Sequence, residues 1–310
     1  MSFIVFPEPP DVSGIELGHG QTRLRFEDVA QDGRLRLEGI WPAIGPILWG
    51  KMEVASALLR LGGQGIRAVL TYVQLEGGDD PVSVRAFCEQ EVRWRLGRSV
   101  DPAGGTTRLL FDTWLISSAP RGVPGNPGMD PPGAERVRVA RAHGQHVFTR
   151  PAAPAGQHRV EHISDPLLDA LPIVAAEYRD PRALLALPAG AVAIDAAPRA
   201  DLAPTVFGLC HTDGNQHVNF LAYPRLAEEA ALRRFVEVGR GARRLARRAE
   251  VSYRKPSFAG DAVRIVMQAF ELGDELGVVA VFVPEDQNAP VQSLAELARP
   301  LAVVRLGFGG

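Results

Sequence analysis

The chain has 310 residues, of which 46% are hydrophobic and 23% charged, with a formal net charge of −2. That is the composition of a soluble globular protein long enough for two domains, with no general electrostatic pull toward nucleic acid or an anionic membrane. Two cysteines, Cys88 and Cys210, exclude a disulfide framework, and neither a signal-peptide pattern nor a membrane-length apolar run is present, so a cytoplasmic protein without a membrane span is expected.

Residues 1–20 are punctuated by Pro and Gly and read as an irregular arm. Thr22–Ile40 alternates in parts, with Gln31-Asp32-Gly33 as a hairpin signal. Ile47–Leu61 carries apolar residues at helical spacing, and Gly62-Gly63 ends that helix. Its apolar, aromatic opening, Trp41 to Lys51, suits packing or an apolar ligand pocket more than acid–base work. Strand-like runs follow at Ile66–Leu75, Val82–Leu96, Arg108–Ile116 and Arg136–Phe148, separated by turn residues and by a Pro/Gly-rich loop at 119–134. Pro151–Gly156 reads as a linker, which divides the chain into domains 1–150 and 151–310.

The second half repeats the order of elements. Alternating stretches at Ala191–Ala197 and Thr205–Leu209 lead to a helix over Phe220–Val236. Strands are expected near Ala249–Tyr253, Ala262–Leu272, Leu276–Val283 and Ala302–Leu306. The class is α+β. Just before this helix, polar residues occupy alternate positions: Asp213, Asn215, His217 and Asn219. In an extended segment all four would point to one side, toward a helix N-terminus whose free N–H groups suit an anion or a polarised carbonyl. Asn219 reads as the helix N-cap. Pro224 would then loosen the first turn, so a helix beginning nearer Leu221 is the alternative. For Asp213 the competing reading is an Asp stabilising a Thr-Asp-Gly turn through its own backbone. For His217 it is a histidine that merely orders the loop.

Asp213-Gly-Asn215-Gln-His217-Val-Asn219 resembles the DxNxHVN motif of the acyl-ACP thioesterases, and Val251–Asp261 resembles the strand–turn–strand phrase that follows it in that family. The resemblance implies a double hotdog, two antiparallel curved sheets each wrapping a central helix. The N-terminal half lacks the motif and would be non-catalytic. It implies hydrolysis of an acyl thioester on an acyl carrier protein or coenzyme A, with Asp213 as base or nucleophile, Asn215 orienting the nucleophile or bonding the substrate carbonyl, His217 positioning or transferring a proton, and the helix start near 220 stabilising the oxyanion. Asn219 and Tyr223 would line the substrate site. A homodimer of double hotdogs would fit the family. One departure stands out: where plant-type enzymes carry a Glu after Tyr-Arg-Arg, this chain has Pro256, followed by Ser257. Glu228 or Glu229 on the helix would be the replacement, with Glu229 the candidate for a direct role. The missing Glu leaves open a hotdog dehydratase or a non-catalytic acyl-binding protein.

Between Arg233 and Lys255 the sequence holds eight Arg and one Lys against two Glu. Such a patch, with Arg243, Arg244 and Arg247 at its centre, would attract the phosphates of coenzyme A or an acidic carrier; the alternative is a solvated helix end. No nucleic-acid module is recognisable. No cofactor is expected, and neither spacing nor ligand count suggests zinc.

Overall fold

Alternation of apolar and polar residues, broken by Gly and Pro turns, resolves into long antiparallel strands in both halves of the chain. The computed structural model describes residues 5–40, 45–100, 107–129, 131–241, 245–287 and 290–309. Two compact units form, Phe6–Arg179 and one built on Asp180–Gly310. No helix among the described residues is long and apolar enough to cross a membrane.

The N-terminal unit contains β1 (Leu17–Arg23), α1 (Met52–Gly63), β2 (Arg67–Gly77), β3 (Phe87–Val100), β4 (Thr107–Pro120) and β5 (Arg136–Thr149). The strands are antiparallel in the order β1-β3-β4-β5-β2. Helix α1 buries Val54, Ala57 and Leu61, one face of a 3.6-residue repeat, and packs on β2. Successive residues of β4 face opposite ways. Phe111 joins an aromatic cluster with Trp94, Trp49 and Phe148, at centroid distances of 5.0, 5.9 and 6.4 Å. Asp112, its neighbour, joins a polar layer with His143 and Gln145.

The helix expected over 47–61 is divided. A π-helical turn at Gly45–Trp49 precedes α1, and the Lys51 ammonium between them donates to the carbonyls of Ile15 and Leu17. Gly18 and Gly20 on β1 admit Ile47; a Cβ there would lie 2.8 and 2.5 Å from its side chain. The hairpin expected around Gly33 is a tight turn closed by one bridge, Val29 to Leu35.

The unit boundary also falls later than the linker composition suggested, at 179/180 instead of 150/151. Residues beyond Gly156 are tied back to the first sheet. Here β6 (Ile173–Ala175) pairs parallel to β3, Gln145 donates to Glu177 O and accepts from Arg179 N–H, both at 3.0 Å, and Asp165 bonds Arg60.

The C-terminal unit contains β7 (Val192–Ala193), β8 (Arg199–Ala200), β9 (Thr205–Val206), α2 (Ala222–Glu237), β10 (Ala246–Tyr253), β11 (Ala262–Leu272), β12 (Glu275–Pro284) and β13 (Ala302–Phe308). The long strands run antiparallel in the order β10-β13-β12-β11, and β7, β8 and β9 each pair with β11. The stretches expected to alternate at Ala191–Ala197 and Thr205–Leu209 thus supply only the two-residue pieces β7 and β9, with β8 between them and Pro198 and Pro204, which cannot donate to a ladder, on either side of it. Helix α2 buries Ala222, Ala227, Ala230 and Ala231, small enough for close approach to β10, β11 and β13. Phe235 and Tyr223 anchor its ends against Phe308 and Phe282, at 5.0 and 5.1 Å. Two ion pairs, Arg233 with Asp201 and Arg234 with the buried Asp195, fasten α2 to the 192–201 segment, and Asp195 also accepts from Ala269 N–H at 2.9 Å.

Candidate active site

The polar motif is a hairpin turn, not an extended strand. Thr212 and Val218 form an antiparallel bridge, Asp213 N–H donates to His217 O at 3.1 Å, and Gln216 N–H donates to Asp213 O at 2.9 Å. Gly214, Asn215 and Gln216 make a three-residue loop whose last residue is left-handed: Gln216 has φ 66°, the one positive φ at a non-glycine among the described residues. Asp-Gly-Asn is turn chemistry, and here it overrides the period-2 polar pattern.

The Asp213 carboxylate is built into this turn. Its Oδ1 accepts from Asn215 N–H at 2.8 Å, and its Oδ2 accepts from the Asn219 side-chain amide at 3.0 Å. The turn reading of Asp213 is therefore realised in its geometry. A carboxylate has about four lone-pair sites, so each oxygen keeps acceptor capacity. Asn215 and His217 are exposed, and neither side chain has a hydrogen-bond partner among the described residues. The His217 ring meets Phe258 edge-on, 5.9 Å between centroids.

The two stretches that carry the family resemblance are physically joined. Val218 N–H donates to Ser257 O at 2.8 Å, and the Tyr253 hydroxyl donates to Phe220 O at 3.0 Å. Asn219 N–H donates to His211 O at 2.7 Å. Strand β10 and its following turn thus hold the approach to α2 in place.

Helix α2 starts where the alternative placed it, with Leu221 as cap residue. Asn219 lies two residues earlier and is not the N-cap, although it satisfies the same donors: its Oδ1 accepts from Leu221 N–H and its O from Ala222 N–H, each at 2.9 Å. Pro224 falls inside the first turn, where its missing N–H costs little. The consequence for chemistry is direct. The N–H groups of Leu221 and Ala222 are spent on Asn219 and Pro224 has none, so the helix start offers little to an oxyanion beyond Tyr223 N–H.

Tyr223 is buried among Phe207, Tyr253 and Phe282, and burial raises its phenol above the ordinary range. It is part of the core of its unit. Glu228 accepts from Ala246 N–H at 2.8 Å, at the start of β10. Glu229 is exposed and pairs with Arg225 at 3.5 Å. The bonds described for these two carboxylates lead to Ala246 and Arg225, not to the turn.

Four of the nine basic residues in this stretch form ion pairs with acids among the described residues. Arg233 pairs with Asp201, Arg234 with Asp195 and Glu237, Arg240 with Glu271, and Arg248 with Glu275. Arg247 is buried, with Gly309 close against it, and is not part of a solvated patch. Arg243 and Arg244, like Trp41, lie outside the described residues. Arg254 and Lys255 remain exposed beside Pro256 and Phe258.

Sequence reading missed a second Asp–His pair, in the N-terminal unit. His143 Nε2 lies 3.5 Å from Asp112 Oδ1, and Gln145 donates to the same oxygen at 3.0 Å. Nearby, burial pushes His146 down to about 4. His143, Gln145 and His146 lie together on β5, but Asp112 comes from β4, so the pairing is not visible in the linear sequence. Two hollows in this unit, of about 420 and 590 Å³, are lined by polar side chains such as Glu76, Arg138, His19 and Glu91. Neither touches the 213–219 turn.

No protein-family model matches the sequence, and no curated protein sequence matches it. Solved structures do match. A candidate oleoyl thioesterase from Lactobacillus plantarum aligns with a TM-score of 0.61 at 13% identity, covering 94% of both chains. The 12:0-ACP thioesterase from Umbellularia californica aligns at 0.58 and 12% identity, over 96% of this chain and 98% of that one. The chain has the hotdog fold of these thioesterases. An acyl-ACP thioesterase from Bacteroides thetaiotaomicron VPI-5482 aligns at 0.50 and 16% identity, over 95% and 98% of the two chains. The likeness runs along nearly the whole chain, not along one half.

Proposed function

We propose that this protein hydrolyses an acyl thioester borne on an acyl carrier protein, with acyl-coenzyme A as the second substrate to try, and that its two units are the halves of a double hotdog. The observation that carries the reading is the Asp213 turn: an acceptor-only carboxylate held by two N–H donors, beside two unengaged polar side chains, on a chain with the fold of acyl-ACP thioesterases. The carrier is preferred because two of the similar structures are acyl-ACP thioesterases. Two free thiols, Cys88 and Cys210, accord with a cytoplasmic setting.

In the proposed reaction Asp213 takes a proton from water as the water oxygen attacks the thioester carbonyl carbon. The carbonyl electrons move onto oxygen, which Asn215 and His217 receive by hydrogen bonds. Collapse of the tetrahedral intermediate breaks the C–S bond, the acid is released, and the sulfur leaves with the proton. The Pro256 departure removes one carboxylate from this scheme, so Asp213 is the sole acid–base group proposed. Arg254 and Lys255 supply positive charge for an acidic carrier.

The test is incubation with acyl-carrier and acyl-coenzyme A thioesters of graded chain length, with products read by mass spectrometry. Free acid and free thiol are expected, lost in Asp213→Ala and reduced in His217→Ala. An unsaturated acyl thioester as product would mean a dehydratase. Binding without turnover, unaffected by Asp213→Ala, would remove the enzymatic reading.

A further inference from the structure

We propose that Asn219 is a positioning residue, which locks the Asp213 carboxylate to the start of α2 and does not contact substrate. The catalytic part of this inference rests on the thioesterase reading; its structural part does not.

The Asn219 hydrogen-bonding groups are nearly all committed. Its N–H donates to His211 O and its carbonyl accepts from Ala222 N–H. Its side-chain Oδ1 accepts from Leu221 N–H at 2.9 Å, and its Nδ2 donates to Asp213 Oδ2 at 3.0 Å. The side chain thus needs an acceptor at one end and a donor at the other. A carboxamide supplies both without a change of protonation, and the extra methylene of Gln would displace one contact. The second Asp213 oxygen is bound by Asn215 N–H, a contact made within the turn itself. Asn219 is the one side chain seen to tie the carboxylate to the helix. Without it Asp213 keeps a single donor and is free to rotate.

The geometry also identifies its own compensating change. In Asn219→Asp two carboxylates face each other across a hydrogen-bond distance, and one of them must take a proton. In the double variant Asp213→Asn with Asn219→Asp, Asp at 219 still accepts from Leu221 N–H. Asn at 213 then donates to it while accepting from Asn215 N–H. Every bond of the cluster is restored with the two groups exchanged.

The experiment has two independent readouts. Thermal melting at pH 7 compares Asp213→Asn, Asn219→Asp and the double variant. The expected result is a double variant that melts above Asn219→Asp, a non-additive recovery. Additive losses would overturn the pairing whatever the activity of the protein. Kinetics on whichever acyl thioester of the graded panel wild type turns over compare wild type with Asn219→Ala and Asn219→Asp. A positioning role predicts kcat down about 10- to 100-fold with KM within about twofold in Asn219→Ala. It also predicts an acid limb of the pH–rate profile moved to higher pH in Asn219→Asp. A rise in KM at unchanged kcat, with no movement of the profile, would make Asn219 a substrate contact and overturn the inference. Absence of turnover in wild type would remove the thioesterase reading and leave the melting test standing.

Discussion

Each unit contains an Asp–His pair, and the two pairs are treated in opposite ways. Asp112 and His143 are each 3% exposed, within a sheet whose Trp114 ring stands 4.9 Å from the imidazole. Gln145 joins the pair to the backbone at Glu177 and Arg179. Asp213 and His217 instead flank a turn ahead of a helix, one half-buried and the other exposed. The carboxylate is oriented by two donors and the imidazole is left open. The contrast shows that residue type alone does not mark a site. A buried, fully enclosed pair holds strands together, whereas an oriented carboxylate beside unengaged donors can meet a substrate.

The sharpest way to break this comparison is to change both aspartates. Asp213→Asn is expected to lower kcat by ~10²–10⁴-fold, the range for loss of a general base, and to lower the melting temperature by the one hydrogen bond it loses at Asn219. Equal activity losses in Asp213→Asn and Asp112→Asn would erase the distinction between the two pairs. Asp195→Ala serves as the structural control for the C-terminal unit. It leaves Arg234 without its buried partner and Ala269 N–H unsatisfied, so a loss of ~3–5 kcal/mol is expected in urea unfolding.

His146 tests the burial half of the comparison through pH. Burial holds it down to about 4 from 6.5, so the folded protein keeps it neutral where the unfolded chain is protonated. Its stabilising contribution is whole above pH ~6.5, falls as pH drops toward ~4, and is constant below that, for a total of up to ~3 kcal/mol. Unfolding midpoints between pH 7 and 4 should fall more steeply in wild type than in His146→Gln; parallel curves would contradict the assignment. The smallest effect is expected in Asp112→Asn. It should cost ~1–3 kcal/mol by weakening the contacts of Gln145 and His143, and change kcat less than severalfold.

The long strands and both helices were legible because burial on one face imprints period 2 or 3.6 on the sequence, as at Val54, Ala57 and Leu61. The motif was legible as a place but not as a shape. Residues at alternate positions suit a strand, yet the bridge between Thr212 and Val218 folds them into a loop, and Gln216 carries no sequence signal for its left-handed backbone. The basic stretch shows a different limit of local reading. Its neutralising partners, Asp195, Asp201, Glu271 and Glu275, come from distant positions that a local charge count does not see. The unit boundary was hidden likewise, since β6 joins β3 across more than 70 residues of sequence.

Single-turnover reaction of the purified protein with an acyl-carrier thioester, read by mass spectrometry at matched wild-type and Asp213→Asn concentrations, is the most direct trial of the proposed chemistry. The prediction is free fatty acid and unloaded carrier from wild type, with the intact thioester persisting in the variant. Equal acid release by both proteins would contradict the role given to Asp213.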